Sequence, residues 1–232
     1  MSINELVVVQ GMKDARFALR RWNERPLEVL GPWLALSLAT TAGLLAAVWA
    51  VAALSQPDPT PLAFPGLYRD ATLGDYLHIL YRNSLVLALH AMACVAGFMA
   101  GSSLPLSAAS RSGVDRWVHE KAGKFAIAFV VCATAFSLAT QAYGIGGGAS
   151  TFANQLGISP GLLLVGLLPH ALPELVVLFL PLAAWLVASR HDRWEDLLAA
   201  TVVTVAIAVP VLLGAAAVEL FVSPEILRAM AS

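Results

Sequence analysis

Five times along this chain, twenty or more mainly apolar residues follow one another: 32–54, 80–101, 125–145, 160–189 and 196–222. A helix crossing the hydrocarbon of a bilayer needs about 20 such residues at about 1.5 Å each, so every run is long enough to cross. Backbone groups in lipid must find their partners inside the segment, which leaves the α-helix as the form for such runs. The expected fold class is therefore all-α: a polytopic helical membrane protein of about five spans. Residues 31–232 are expected to form one transmembrane domain, with residues 1–30 a cytoplasmic amphipathic helix. Composition points the same way, because a chain with 59% hydrophobic and 12% charged residues holds more apolar surface than one soluble core hides.

The positions of lysine and arginine set an orientation. Lys13, Arg16, Arg20, Arg21 and Arg25 precede the first run, Arg111, Arg116, Lys121 and Lys124 follow the second, and Arg190 and Arg193 follow the fourth. The opposite side has Arg69, Arg82 and Arg228. Such alternation predicts an odd number of crossings with the N-terminus cytoplasmic and the C-terminus outside. Dispersed basic residues and a net charge of -1 give no nucleic-acid footprint, so no nucleic-acid partner is expected. The N-terminal segment is too charged for a signal peptide and is expected to stay on the mature chain. Its apolar positions Leu6, Val9, Met12, Phe17 and Leu19 alternate with basic ones. That pattern suits a helix on an anionic leaflet, a helix docked on a partner, or a solvated lead-in. The segment RSGVDRWVHEKAGK, residues 111–124, reads as an interfacial helix. Cys94 and Cys132 sit in apolar runs without Cys-x-x-Cys spacing and read as small buried hydrophobes.

The fourth run holds the most informative polar residues. As one helix, residues 160–189 would measure about 45 Å against a hydrocarbon core of about 30 Å. Pro160, Pro169, Pro173 and Pro181 each lack a backbone donor. Length and prolines together predict a proline-broken or re-entrant segment with its break near Pro169; a kinked, tilted helix is the competing geometry. His170 and Glu174, bracketed by Pro169 and Pro173, would stand at the edge of that break on one helical face. An ionisable pair at membrane depth admits several roles: a structural pair, a proton or solute path, a contact for a partner span, or a metal or catalytic site. The metal reading lacks the His-Glu-x-x-His spacing and would need His90, from the second run, as a further ligand.

Asn83 and Glu219 fall near the outer ends of their spans, where water could reach them, and Gln141 suits an interhelical hydrogen bond. GFMAG, with Gly97 and Gly101 four apart, permits close helix contact and is a weak dimer signal. YGIGGGAS, residues 143–150, reads as a flexible turn, since it lacks the Gly-Lys-Ser/Thr ending of a phosphate loop. No nucleophile, base and orienter set stands out, and no loop is long enough for a soluble catalytic domain.

The segment GLLPHALPELVVLFLPLAAWL resembles the proline-histidine-glycine-x-x-glutamate segment of the stage II sporulation protein M family. Pro169, His170 and Glu174 match the motif, while Ala171 replaces its glycine. YRNSLVLALHAMACVAGFMAG is similar to that family's earlier span, and ANQLG to its asparagine-glycine stretch, with Gln155 interposed. The resemblance runs over residues 81–185. It implies a divergent, multi-pass protein of a bacterial or archaeal cytoplasmic membrane that works in an envelope assembly, in spore formers beside peptidoglycan hydrolases.

Two function classes follow. One is a non-enzymatic membrane scaffold or subunit of an envelope assembly, in contact with lipid and with other membrane or envelope proteins. The other is a small oligomeric channel or transporter whose pathway passes the His170/Glu174 break, with Pro169, Pro173, His90 and Asn83 as further binding or gating candidates. An intramembrane hydrolase or metalloenzyme is the third and weakest reading. No catalytic residue, metal or cofactor is assigned.

Overall fold

The computed structural model describes residues 7–103 and 112–232. These residues are almost entirely helical: α1 (Val7–Glu24), α2 (Pro26–Leu54), α3 (Leu73–Phe98), α4 (Gly113–Leu156), α5 (Pro160–Arg190), α6 (Leu197–Phe221) and α7 (Ser223–Ala231). A π-helical turn, Met99–Ser103, extends α3, and a 3₁₀ turn, Trp194–Asp196, leads into α6. Leu6 and Arg111, which entered the sequence reading, lie outside the described residues.

Helices α2 to α6 each contain a stretch apolar and long enough to cross a membrane, five among the described residues. The α4 window is only 6% buried within the protein, and Phe129 and Phe136 on it are more than two-thirds exposed. Apolar surface of that extent requires a non-aqueous surrounding, and the protein is a polytopic helical membrane protein.

The helix boundaries have local causes. Thr72 and Asp75 form a reciprocal capping box at the start of α3: the Asp75 N–H donates to Thr72 Oγ1 (3.2 Å) and the Thr72 N–H to Asp75 Oδ2 (2.9 Å). This cap begins α3 seven residues before the expected 80. Helix α4 ends in a Schellman arrangement, with Gly157 at φ +69, Ile158 N–H donating to Ala153 O (3.0 Å) and Gly157 N–H to Asn154 O (3.2 Å). Ser159 then caps α5 by accepting from Leu162 N–H (3.2 Å), with Pro160 in the first turn.

Three expectations are corrected. The fourth run is one uninterrupted helix, Pro160–Arg190, through Pro169, Pro173 and Pro181, so there is no break and no re-entrant half-helix. Each interior proline costs one hydrogen bond to the carbonyl four residues before it, whereas unwinding the segment at this depth would free several backbone groups. YGIGGGAS is not a turn but part of α4, because the chain reverses at the capped Gly157–Ser159 step instead. Residues 113–124, expected as a separate interfacial helix, are the first turns of α4, with no helix-stopping residue between them and the span.

The chain forms two compact units, each drawing on α2 to α6. The first takes in the described parts of Met1–Ser37, Val86–Ala133 and Leu178–Ala208. Its core joins Ala18 and Trp22 of α1 to Trp33, Leu180, Ala184 and Ala199, with Trp22 and Trp33 edge to face at 5.3 Å. Helix α1 thus docks on its own chain through Gly11, Ala15, Ala18 and Trp22, at 4-3-4 spacing, leaving Met12 and Phe17 exposed. Arg21 anchors it by a two-pronged pair with buried Asp196 (2.9 and 2.8 Å), which Arg193 also contacts. Gly97 and Gly101 serve tryptophans here: a Cβ on Gly97 would lie 2.4 Å from Trp185 Nε1, and one on Gly101 2.0 Å from Trp194 Cδ2.

The second unit is Leu38–Leu85, Thr134–Val177 and Val209–Ser232. Its core is Ala52, Ala149, Phe152, Ala153, Leu163 and Leu227, with Phe64 stacked on Phe152 at 5.3 Å. Tyr76 donates to Leu213 O (3.1 Å), tying α3 to α6. Gly66 has φ +81, and a Cβ there would meet Leu220 O at 2.5 Å, so the 64–69 loop packs backbone to backbone.

Candidate functional site

Within the second unit, α3, α5 and α6 bring four charged or amide side chains together: Arg82 and Asn83, Glu174, and Glu219. The Asn83 amide faces the Glu174 carboxyl. The Glu219 carboxyl stands within the electrostatic reach of both Glu174 and Arg82. Glu174 Oε2 and Asn83 Nδ2 are shut off from solvent without a hydrogen-bond partner among the described residues. Asn83 is the hydrogen-bonding side chain beside the Glu174 carboxyl. Groups of this kind are costly in an apolar surrounding and persist where they bind, conduct or switch.

His170 and Glu174 do not pair. His170 is 8% exposed and shares a hydrogen bond of 2.8 Å, through Nδ1, with Ser223 Oγ at the start of α7. It is a strut between α5 and α7, whereas Glu174, one turn on, belongs to the charged cluster. Pro169 is exposed and Pro173 half-buried, and neither opens the helix. His90 lies in the first unit, where Nδ1 sits 2.6 Å from Leu178 O. A carbonyl only accepts, so Nδ1 carries the hydrogen. The ring also packs against Phe179 at 5.8 Å. Among the described residues no three histidine, cysteine, aspartate or glutamate side chains stand where they could share a metal ion.

Three members of the cluster carried a different emphasis in the sequence. Asn83 and Glu219, placed at watery span ends, are both half-buried. Arg82, counted only as an outside charge, acts electrostatically on Glu219. A signal was present: with α3 begun at its Thr72–Asp75 cap, Arg82 and Asn83 fall more than two turns inside the helix. Gln141 stays half-buried on α4, its Nε2 donating to Ser137 Oγ (2.9 Å) in the same helix instead of crossing to another.

No family model matches the chain, and neither a curated protein nor a solved structure matches it.

Proposed function

We propose that this protein is a non-enzymatic transporter or channel subunit in which Glu174 and Glu219 bind a small cation, a proton included, beside Arg82 and Asn83. What supports the reading is that Glu219 stands within electrostatic reach of Glu174 and of Arg82, side chains of three different candidate spans. Charge balance gives it a mechanism. Two carboxylates against one arginine leave one negative charge to be met, and one bound proton or monovalent cation meets it. Asn83 supplies a neutral donor and acceptor that suit the site in either state. The alternation of basic residues supports an N-terminus in the cytoplasm.

The test is flux. Purified protein in liposomes, under an imposed proton or sodium gradient, is expected to dissipate it, with Glu174→Gln and Glu219→Gln each lowering the rate at least tenfold while leaving the protein folded. Wild-type vesicles as tight as empty ones would remove the reading.

A second reading makes the chain a scaffold of an envelope assembly, similar to stage II sporulation protein M. The His170–Ser223 bond favours it, because it uses the motif histidine to hold helices together instead of lining a path. Under this reading His170→Ala lowers thermal stability, and no variant of Glu174 or Glu219 alters vesicle permeability.

A further inference from the structure

Away from the charged cluster, the second unit holds a polar cavity of about 720 Å³ between the segment after α2 and the last third of α4. Three bonds fix its walls. Ser150 Oγ donates to Ser55 O (3.0 Å), Asp58 N–H to Thr151 Oγ1 (3.0 Å), and Gln155 Nε2 to Thr60 O (3.3 Å). The cavity is therefore formed before anything enters it.

Its floor is bare helix. A Cβ added to Gly144, Gly147 or Gly148 would meet nothing within 4 Å, whereas one on neighbouring Gly146 would lie 2.6 Å from Val51 Cβ. Packing within the chain explains Gly146 alone. The other three weaken the helix without a return in packing, and what they secure is an unobstructed floor, since all three line the cavity.

Among the described residues, the lining has one formal charge, the Asp58 carboxylate, and no lysine, arginine or histidine. Thr60 N–H donates to Asp58 Oδ1 (2.7 Å), orienting the carboxylate. The hydroxyls of Ser55, Thr60 and Tyr143 and the Gln56 amide add further acceptors, and the Tyr143 ring offers a face to a cation. An anion would meet the Asp58 carboxylate with no cation opposing it in this lining. A divalent metal would find one carboxylate where it prefers several oxygen ligands. The remaining fit is a compact group with three N–H donors and one positive charge.

We infer that this cavity binds a primary ammonium group, carried either by an aminophospholipid headgroup or by a soluble amine. Ser55 directly follows the last residue of α2, a candidate span, which places the site at the end of an apolar segment, where both sources can reach it.

The test reconstitutes the full chain in nanodiscs of equal phosphatidylethanolamine and phosphatidylcholine, reads co-purifying lipid by native mass spectrometry, and titrates the protein with ethanolamine by calorimetry. Enrichment of phosphatidylethanolamine that ethanolamine does not displace assigns the lipid source; saturable ethanolamine binding assigns the soluble one. In either case Asp58→Asn is expected to lower the enrichment or affinity at least tenfold. Gly148→Leu is expected to do the same while raising the thermal midpoint, which separates a filled cavity from a damaged fold. Equal retention of both lipids with no ethanolamine binding, or an Asp58→Asn protein that behaves as wild type, overturns the proposal.

Discussion

Replacing single glycines by alanine is expected to change stability in opposite directions at two places, because the same added methyl meets different surroundings. At Gly97 the Cβ would lie 2.4 Å from Trp185 Nε1, 2.7 Å from its Cδ1 and 2.9 Å from Leu197 Cδ1. Trp185 is 2% exposed and Leu197 fully buried, so neither can swing aside into free space. Overpacking of this kind costs about 1–3 kcal/mol, and the contact distances put Gly97 toward the upper end. Alanine recovers roughly 1 kcal/mol of helix propensity, leaving a net loss of about 1–2 kcal/mol. At Gly147 nothing lies within 4 Å of the new methyl, so only the gain of roughly 1 kcal/mol remains. At about 2–4 °C per kcal/mol for a chain of this size, Gly97→Ala lowers the midpoint by about 2–8 °C, and Gly147→Ala raises it by about 2–4 °C. Scanning fluorimetry on tryptophan emission in one detergent reads both. A Gly97→Ala protein as stable as wild type would refute the reasoning, since Trp185 would then not be held against α3.

Other outcomes follow from the same geometry. Ser223→Ala leaves His170 Nδ1 buried without its partner and is expected to cost about 1–3 kcal/mol, measured by thermal unfolding, with Ser223→Thr closer to wild type. Asp196→Asn weakens its pairs with Arg21 and Arg193; both arginines are 44% exposed, so solvent screening holds the loss to about 1–2 kcal/mol, and α1 is expected to become the first site of limited proteolysis. The side-chain and backbone bonds from Thr60 hold the Asp58 carboxyl below its ordinary value of 3.8. A depressed pKa keeps the charge as pH falls, so ammonium binding is expected to persist through the mildly acidic range and to disappear only below 3.8, as calorimetry at stepped pH would record.

The glycines show where reading a linear chain runs short. GFMAG and YGIGGGAS were equally visible, yet one receives Trp185 and Trp194 and the other floors a cavity inside a helix. Glycine count does not distinguish these cases, because the deciding quantity is what lies within 4 Å in space. The end of α4 was legible in principle, since Gly157, Ser159 and Pro160 are local cap signals. So was the start of α3, from Thr72 and Asp75.

Number and type of spans, by contrast, followed from the sequence alone, because transfer of a 20-residue apolar run into lipid is a property of that run. Which polar residues meet did not follow. His170 and Glu174 sit one turn apart, and helical periodicity paired them, but His170 bonds to Ser223, 53 residues away, and Glu174 meets Asn83 and Glu219. A side chain at membrane depth has no water to satisfy it and takes whichever partner the neighbouring helices present. That choice is made by packing between distant segments, which only the tertiary structure decides.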